Sequence, residues 1–564
     1  MSASFAATVK IEGPRLIRTF VRRMRSAWMR FSDSRALVYV SFAIVYLIPN
    51  LALARWKLIW QDEFYTLYLS TTRSWHALWS ALSTGADQNP PSFFYITHLV
   101  FRAAGAGPIT LRIPALAGFG LCCICLYEIV RLIMGRQWAV VAILLPLGTP
   151  ALYYATEARG YGLELGFATF SLLMWMLASD GKRRTWTLPG LAVGLCLGVA
   201  SHYYAVLFVI PLAAAEFVRT IRRHSIDIAI WCAMAGAAVP LCLFAPLLLK
   251  ARTYSSHFWA LPRWGEMVEW YPGMLGLAPF ALIAASGLVL VFQIRTDQDP
   301  PAKDHKVPHF AVVAVAACAL LPVIGMLFAC MFTHAYTPRY FIGAVPGTLI
   351  FLLWGLRRIL RNDGAGPALA SLLCLAAAGV QWYSLRAHQA GELFALRSDV
   401  AALRRFPEEP VVVNNGDPFY RLSFYAPRDL AARLIFLADP HLSEHYVGQD
   451  TVDSELLEFA PWFPLHVAWW SDWWRSHSSA LVFGGVDASW VWLTYALPAV
   501  GPVQVVDRNG VNLLLSVKRK HVPVSDRVPG DPSGEPQLFR KMPQTGPSLC
   551  NLYMPGVCPV LEAP

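Results

Sequence analysis

The chain has 564 residues, of which 56% are hydrophobic and only 15% carry a charge. Soluble domains have about 25% charged residues, so this composition excludes a chain built mainly of water-soluble domains. The net charge of +11 does not indicate a nucleic-acid partner, because the basic residues stand in short clusters between long apolar runs. Such clusters are typical of membrane topology signals, and we therefore predict a polytopic helical membrane protein.

The amino-terminal segment, residues 1–34, carries six arginines between Arg15 and Arg30 and lacks an apolar stretch. No cleavable signal peptide is therefore expected. The first apolar run, residues 35–54, is long enough to cross a hydrocarbon layer of roughly 30 Å. We interpret it as a signal anchor that leaves a basic amino terminus in the cytoplasm.

Further apolar runs of about 20 residues predict a core of eleven spans within residues 35–384. With residues 55–109 treated as one external loop, every internal turn carries at least two basic residues, as the positive-inside rule requires. Within that loop, residues 63–85 are predicted to be surface-lying helices. Residues 91–104 are predicted to be a re-entrant or surface-lying helix, because 14 residues at about 1.5 Å each are too short to span. The predicted spans are 35–54, 110–131, 138–155, 161–179, 186–201, 203–218, 228–249, 273–294, 309–333, 340–357 and 366–384.

After about residue 385, strand-like and helix-like segments alternate, which predicts a small external α/β domain with a mostly parallel sheet at residues 395–520. Asn509-Gly510 predicts a type I′ hairpin that closes it. Residues 521–564 are rich in Pro, Gly and Ser and are predicted to be a disordered tail. The predicted strands are 411–415, 433–438, 465–470 and 480–485, and the predicted helices lie near 417–425, 451–460, 471–478 and 490–499.

Polar residues that are distant in sequence fall at the same predicted external ends of the spans. Acids, one histidine and two arginines collect there without an excess of lysine, which is more typical of a site than of side chains that anchor helices at the interface. The candidate site residues are Asp62, Glu63, Glu157, Arg159, Tyr161, His202, Tyr203, Arg339 and Tyr340.

Each of these candidates also has a structural interpretation. Acids such as Asp62 and Glu63 favour helix starts because of the helix dipole, whereas a carboxylate near lipid can also have a raised pKa and act as a general base. His202 can be a buried hinge histidine. Arg339 begins a span on the external side, where the positive-inside rule does not favour it, and its guanidinium suits bidentate phosphate binding.

Five short motifs follow one another in a distinctive order: Asp62-Glu63, NPP at 89–91, LRIPALAG at 111–118, YYATEARGYGL at 153–163, and PRY at 338–340. This order resembles bacterial membrane glycosyltransferases of the GT-C fold. The nearest branch is the glycosyltransferase family 39-like group, which contains the protein O-mannosyltransferases, the aminoarabinose transferase of lipid A and the Rgt galacturonosyltransferases. The resemblance covers about residues 35–384.

The resemblance implies a transferase that moves a sugar from a polyprenyl-phosphate donor to an acceptor hydroxyl on a cell-envelope glycan, lipid or protein, with inversion. It implies that Asp62, with Glu63 beside it, is catalytic and that Arg339 contacts the lipid phosphate. It places Glu157 before Arg159 and Tyr161 in the substrate site, which is periplasmic in a protein of the bacterial inner membrane. A divalent cation such as Mg²⁺ or Mn²⁺ is left open, with Asp62, Glu63, Glu157 and His202 as its candidate ligands.

Two other classes of function remain as alternatives. A transporter or lipid flippase would have ionisable residues at mid-membrane and paired broken helices in two related halves. A polysaccharide-assembly subunit would use the α/β domain only to bind partners.

Overall fold

The structure, a computed structural model, describes residues 26–254, 257–276, 307–360, 365–485, 491–510 and 512–520. The predicted disordered tail and most of the predicted span 273–294 lie outside these residues. The described chain is mainly helical up to Arg404 and continues into a mixed sheet with helices, as predicted. The α-helices of the first part are α1 (Arg35–Trp56), α2 (Gln61–Ser70), α3 (Trp75–Thr84), α4 (Pro91–Ala104), α5 (Ile113–Ile133), α6 (Arg136–Leu144), α7 (Tyr161–Ser179), α8 (Arg184–Ser201), α9 (Val209–Arg223), α10 (Ile228–Met234), α11 (Ala238–Leu243), α12 (Ala245–Arg252), α13 (Trp264–Leu275), α14 (His309–Ala319), α15 (Leu321–Phe328), α16 (Ala344–Leu360) and α17 (Ala365–Arg404).

Five of the described helical segments are long and apolar enough to cross a bilayer, or up to seven if each of two bent helix pairs is one span. The pairs bend by 67° and 55°, and in both the second helix starts beside a proline, Pro246 or Pro322. Proline lacks the N–H that would continue the helical hydrogen bonds. The predicted spans at 186–201 and 340–357 are also helical, as α8 and α16. The predicted count of eleven remains a prediction.

The predicted external loop consists of three helices, α2, α3 and α4. Residues 91–104 form one helix of 14 residues, which begins with Pro91 in its first turn. This position suits proline because the first N–H of a helix has no intrahelical acceptor. Pro91 therefore marks the start of α4.

The closest helix contact in the core joins α5 to α7 through small residues. A Cβ atom added at Gly118 would lie 2.3 Å from the carbonyl oxygen of Gly162, and one added at Gly166 would lie 2.3 Å from that of Gly118. Gly162 and Gly166 form a GxxxG pattern, which lets two helix backbones approach closely in a membrane protein. This contact fixes how the start of α5 sits against the start of α7.

The C-terminal part forms a six-stranded sheet in the order β3-β2-β1-β4-β6-β5. β1, β2, β3 and β4 pair in parallel, whereas β6 is antiparallel to both β4 and β5. Helices connect the parallel strands, so the predicted α/β fold is confirmed. The elements are β1 (Val411–Val413), α18 (Gly416–Tyr425), α19 (Arg428–Ala431), β2 (Leu434–Ala438), α20 (Pro440–Val447), α21 (Thr451–Phe459), β3 (Val467–Trp469), α22 (Trp470–Ser476), β4 (Ser479–Gly485), α23 (Leu493–Val500), β5 (Val503–Asn509) and β6 (Asn512–Lys518).

The predicted hairpin between β5 and β6 is present, but its turn is shifted by one residue. Asn509 pairs with Asn512, so the two-residue loop begins at Gly510 and does not have Asn509 as its first central residue. Gly510 has φ = +59°, a conformation that glycine adopts without strain. The position of the loop follows from the pairing register of β5 and β6. That register is fixed because β6 must keep its apolar side chains buried.

One hydrophobic cluster joins the loop helices to the sheet domain. Phe64 of α2 stacks on Tyr420 with ring centroids 5.5 Å apart and meets Phe424 edge-on at 5.2 Å. Tyr65 meets Phe459 of α21 at 4.9 Å. The same cluster contains buried side chains of β1, β2 and β4. The α/β domain and the loop between α1 and α5 therefore share a single core.

We predict that Gly118→Ala destabilises the protein, because its methyl group would collide with the backbone of α7. Overpacking of this kind costs about 1–3 kcal/mol. The measurement is thermal unfolding of the full-length protein in detergent. Gly379→Ala on α17 is the matched control, since nothing lies within 4 Å of its added methyl group. Equal loss of thermal stability in both variants would contradict the prediction.

Candidate functional site

Two candidates from opposite ends of the helical core, Asp62 and Arg339, form the centre of the cluster. Asp62 lies in the first turn of α2, and Arg339 lies in the 3₁₀ turn Pro338–Phe341 before α16. Arg339 Nη1 is 2.9 Å from Asp62 Oδ2, and both side chains are less than one-fifth exposed. Asp62 Oδ2 nevertheless accepts no aligned hydrogen bond from a described residue. The contact is therefore electrostatic and leaves a lone pair of the carboxylate available.

Aromatic rings surround the guanidinium of Arg339. Its central carbon lies 5.9 Å from the ring centroid of Trp60, 5.7 Å from that of Tyr161 and 5.4 Å from that of Trp259. Cation–π attraction holds a guanidinium over such rings without using its N–H donors. Arg339 Nε is buried and has no hydrogen-bond partner among the described residues. The guanidinium is thus held in place while it keeps donors for an anion.

Arg159 is anchored by an acid that the sequence analysis did not select. Its Nη1 donates to Asp87 Oδ2 at 2.6 Å and to the backbone carbonyl of Asp62 at 3.2 Å. It is also 5.9 Å from the ring centroid of Tyr65. Arg159 therefore ties the turn before α7 to the segment that carries Asp62.

Glu63 points away from Asp62 and is completely buried. It forms a bidentate pair with Arg112, with Nε–Oε1 at 2.9 Å and Nη2–Oε2 at 2.6 Å. The backbone N–H of Ala158 donates to Oε1 at 2.8 Å, and Lys57 Nζ is 3.7 Å from the same oxygen. Burial raises the pKa of Glu63, but the positive charges of Arg112 and Lys57 outweigh it and hold that pKa below the ordinary value. Glu63 is therefore an ionised structural acid here.

Glu157 is buried, and neither of its carboxylate oxygens has a hydrogen-bond partner among the described residues. Burial raises the pKa of Glu157 to about 7, against the lowering effect of Lys57 and Arg339. Lys57 itself donates to the carbonyl of Thr156 at 3.1 Å. Both oxygens can therefore accept a hydrogen bond from a ligand. Such a bond would be favourable, because a buried carboxyl group without a partner is costly.

The remaining candidates form an aromatic group beside Arg339. The ring of His202 lies 5.2 Å from that of Tyr161 and 4.9 Å from that of Tyr340. His202 Nδ1 is 3.4 Å from Glu164 Oε2, although the geometry is not that of an aligned hydrogen bond. The hydroxyl of Tyr203 is also buried without a described partner. The structure thus joins Asp62, Arg159, Tyr161, His202, Arg339 and Tyr340 by direct contacts, whereas Glu63 is directed towards Arg112.

The four candidate metal ligands do not form a ligand set. Glu63 is bound by Arg112, Asp62 faces Arg339, and His202 faces Glu164. In the described part of the chain, no three His, Cys, Asp or Glu side chains group in a way that would hold a metal ion.

The sequence analysis missed five residues that hold the cluster together or border it. Arg112 and Lys57 lie at predicted external span ends, so the positive-inside argument that selected Arg339 applies to them equally. Asp87 directly precedes the Gln88-Asn89-Pro90-Pro91 segment and carried no signal of its own. Glu455 and Asp417 belong to the α/β domain, and nothing local in the sequence connects them to the membrane core.

Glu455 of the α/β domain borders these side chains. The hydroxyl of Tyr65 donates to Glu455 Oε2 at 2.9 Å. Burial raises the pKa of Glu455 to about 8, with a further contribution from the negative charge of Asp87. The domain therefore adds a carboxyl group at the edge of the cluster.

Comparison with known proteins supports the resemblance inferred from the motifs. Residues 88–249 match the family described as dolichyl-phosphate-mannose-protein mannosyltransferase. This segment includes Arg159, Tyr161 and His202 but neither Asp62 nor Arg339. No curated protein sequence matches the chain.

Two solved structures have the same overall fold. Both are ArnT from Cupriavidus metallidurans, one in the apo state and one bound to undecaprenyl phosphate. They superimpose with TM-scores of 0.53 and 0.52 at 13% and 12% identity, and each comparison covers 85% of this chain and 97% of the other. The predicted resemblance to membrane glycosyltransferases of the GT-C fold is confirmed.

We predict that Glu63→Gln strongly reduces thermal stability, because it leaves the buried guanidinium of Arg112 without its counter-charge. Breaking a buried pair from one side costs about 3–5 kcal/mol. Asp33→Asn is the control: the Asp33–Arg136 pair is more than three-fifths exposed, and exposed pairs contribute about 0–1 kcal/mol. Thermal unfolding in detergent measures both. A Glu63→Gln protein that is fully stable but inactive would instead make Glu63 catalytic.

Proposed function

We propose that this protein is a membrane glycosyltransferase that moves a sugar from a polyprenyl-phosphate donor to an acceptor hydroxyl, with Asp62 as the general base. The observation that carries the proposal is the pair of Asp62 and Arg339: a carboxylate with a free lone pair beside a guanidinium held by aromatic rings. The GT-C fold supports it, since a solved relative of this fold binds undecaprenyl phosphate.

The chemistry follows from these two charges. Asp62 takes the proton of the acceptor hydroxyl as its oxygen attacks the anomeric carbon. The bond from that carbon to the donor phosphate breaks, and its electron pair leaves with the phosphate oxygen. Arg339, with Arg159 nearby, matches the negative charge that develops there. Attack from the face opposite the phosphate inverts the anomeric centre.

The two neighbouring acids, Asp62 and Glu63, have different roles in this proposal. A base must meet the acceptor, and Asp62 has an oxygen available for this. Glu63 is fully engaged by Arg112, so we assign it a positioning role in place of the catalytic role that the sequence predicted. Phosphate binding to Arg339 would weaken the guanidinium's hold on Asp62 and leave the carboxylate free to meet the acceptor hydroxyl.

The predicted topology gives the reaction a side of the membrane. With the amino terminus in the cytoplasm, the ends of the helices that carry Asp62, Arg159 and Arg339 are external, which is periplasmic in a bacterial inner membrane. The α/β domain contacts α2 directly, so it lies on the same side. The membrane supplies the donor, whose polyprenyl tail stays in the bilayer while its phosphate reaches the site. The proposal covers a hexose or a pentose as the sugar, and a glycan, a lipid or a protein as the acceptor.

A transporter is the alternative class of function. The two bent helix pairs, Ile228–Arg252 and His309–Thr333, resemble the broken helices that transporters use. Both lie in the second half of the core, whereas two related halves would place one in each. The bends therefore do not favour transport over transfer.

We predict that Asp62→Asn reduces sugar transfer at least about a hundredfold, in the range that removal of a general base causes. The assay incubates the purified protein with hexosyl and pentosyl polyprenyl phosphates and an extract of cell-envelope lipids and glycans. Asp33→Asn, which changes an exposed acid at the other end of α1, is the control and should transfer at the wild-type rate.

Full activity of Asp62→Asn would remove Asp62 as the base. No transfer by the wild-type protein from any donor would reject the enzyme proposal. The anomeric configuration of the product, read by NMR, tests inversion separately, because retention would require a different mechanism.

We predict that affinity for the donor falls as pH rises from 6 to 8. Glu157 loses its proton in this range because burial holds its pKa at about 7, and its negative charge then repels the donor phosphate. Glu157→Gln stays neutral and should bind the donor with little pH dependence. The measurement is the donor KM, or binding of polyprenyl phosphate alone, at several pH values. The same pH dependence in Glu157→Gln would assign it to another group.

A further inference from the structure

The segment from the end of α1 to the first residue of α2 has three backbone N–H groups bound by side chains from outside it. Leu58 N–H donates to Gln389 Oε1 of α17 at 3.0 Å. Ile59 N–H donates to the hydroxyl of Tyr425 at 2.9 Å, and Gln61 N–H donates to Asp417 Oδ1 at 2.8 Å. Tyr425 and Asp417 belong to the α/β domain, so that domain satisfies the donors immediately before Asp62.

Asp417 stands where an α/β sheet ordinarily binds a ligand. The chain runs from β1 to β2 on one side of β1 and returns from β3 to β4 on the other, so the connections reverse between β1 and β4. Ligands of open parallel sheets bind at the carboxyl ends of the strands at such a reversal. Asp417 follows β1 there, in the first turn of α18.

Here the start of α2 occupies this edge. A Cβ atom added at Gly416 would lie 3.0 Å from Gln61 Oε1, so the side chain of Gln61 rests directly on the turn after β1. Asn415 caps α18 by accepting the N–H of Asp417, which fixes the direction of the turn. The carboxyl-terminal edge of the sheet, between β1 and β4, therefore faces Gln61, the residue that precedes Asp62.

Charged side chains hold Asp417 in this position. Arg421, one turn further along α18, is 3.0 Å from Asp417 Oδ2 through Nε. Arg421 also pairs with Glu392 of α17. The last long helix of the core, the α/β domain and the α1–α2 segment are therefore connected through one chain of polar contacts.

We infer that the α/β domain is a working part of the catalytic site and that Asp417 is a positioning residue for Asp62. The inference rests on the proposed function, because Asp417 would affect the reaction only by holding the proposed base, Asp62. Asp417 fixes the backbone one residue before Asp62, and Tyr425 fixes it two residues earlier still. A displacement of about 1 Å of a reacting group can cost about a hundredfold in rate, so a small shift of this backbone would be visible in turnover.

Transfer kinetics of the full-length protein test the inference with Asp417→Ala, Asp417→Asn and Asp429→Ala. Asp417→Ala removes the acceptor and should lower kcat at least about tenfold, with the donor KM changed less than about threefold. Asp417→Asn keeps an acceptor oxygen and should recover most of the turnover. Asp429 is exposed on the same domain, and its alanine variant should behave as wild type.

A second measurement does not depend on substrate. Hydrogen–deuterium exchange of the peptide that covers residues 57–62 should be faster in Asp417→Ala than in wild type, and close to wild type in Asp417→Asn and Asp429→Ala. If Asp417→Ala does not fold, Tyr425→Phe replaces it, because this variant removes only the acceptor of the Ile59 N–H. Tyr425→Phe should show the same faster exchange and a lower kcat.

The outcomes separate the two proposals. Wild-type exchange in Asp417→Ala, or faster exchange with wild-type kcat, would overturn the positioning role and leave the proposed function intact. Equal losses of kcat in Asp417→Asn and Asp417→Ala would also overturn it, since the acceptor oxygen would then be irrelevant. A wild-type protein that transfers no sugar would reject the proposed function, while exchange would still decide whether the domain holds the segment.

Discussion

The buried pair of Glu63 and Arg112 joins four segments of the chain at one point. The guanidinium of Arg112 binds the Glu63 carboxylate and the backbone carbonyls of Ala54, Lys57 and Leu58. The carboxylate of Glu63 also accepts the N–H of Ala158. The end of α1, the start of α2, the start of α5 and the turn before α7 are thereby fixed to one another. Because an unpaired charge at this depth is so costly, these segments keep one arrangement.

The residues proposed for catalysis are direct neighbours of this pair. Asp62 precedes Glu63, and Arg159 follows Ala158, so the geometry of the pair is transmitted to both through a single peptide unit. Adjacent acids at the start of a helix point in different directions, and one of them enters the protein while the other faces the site. The same local sequence therefore supplies both a rigid support and a carboxylate that keeps a free lone pair.

The α/β domain takes part in the same support from the opposite side. It shares a hydrophobic core with α2 and satisfies backbone donors before Asp62. A domain that only bound other partners would not need its sheet edge against the membrane core. The start of α2 is instead held between Arg112 on the core side and Asp417 on the domain side.

The sequence by itself determined that the protein is a polytopic membrane protein with a helical core, an α/β C-terminal part and a set of polar residues at one end of the spans. These properties depend on hydropathy, on strand and helix patterns and on the placement of basic residues, which are all local or additive along the chain. Asp62 and Arg339 were found because polar residues at span ends are few.

Only the tertiary structure decided which of these residues meet. It separated Glu63 from Asp62, gave Arg159 its partner Asp87, and brought Asp417 to the backbone directly before Asp62. These outcomes depend on contacts between residues far apart in sequence, such as the bond from Gln61 to Asp417 across 356 positions. No local pattern records such a contact, because it is set by how helices and a sheet pack and by the need to pair every buried charge and N–H group.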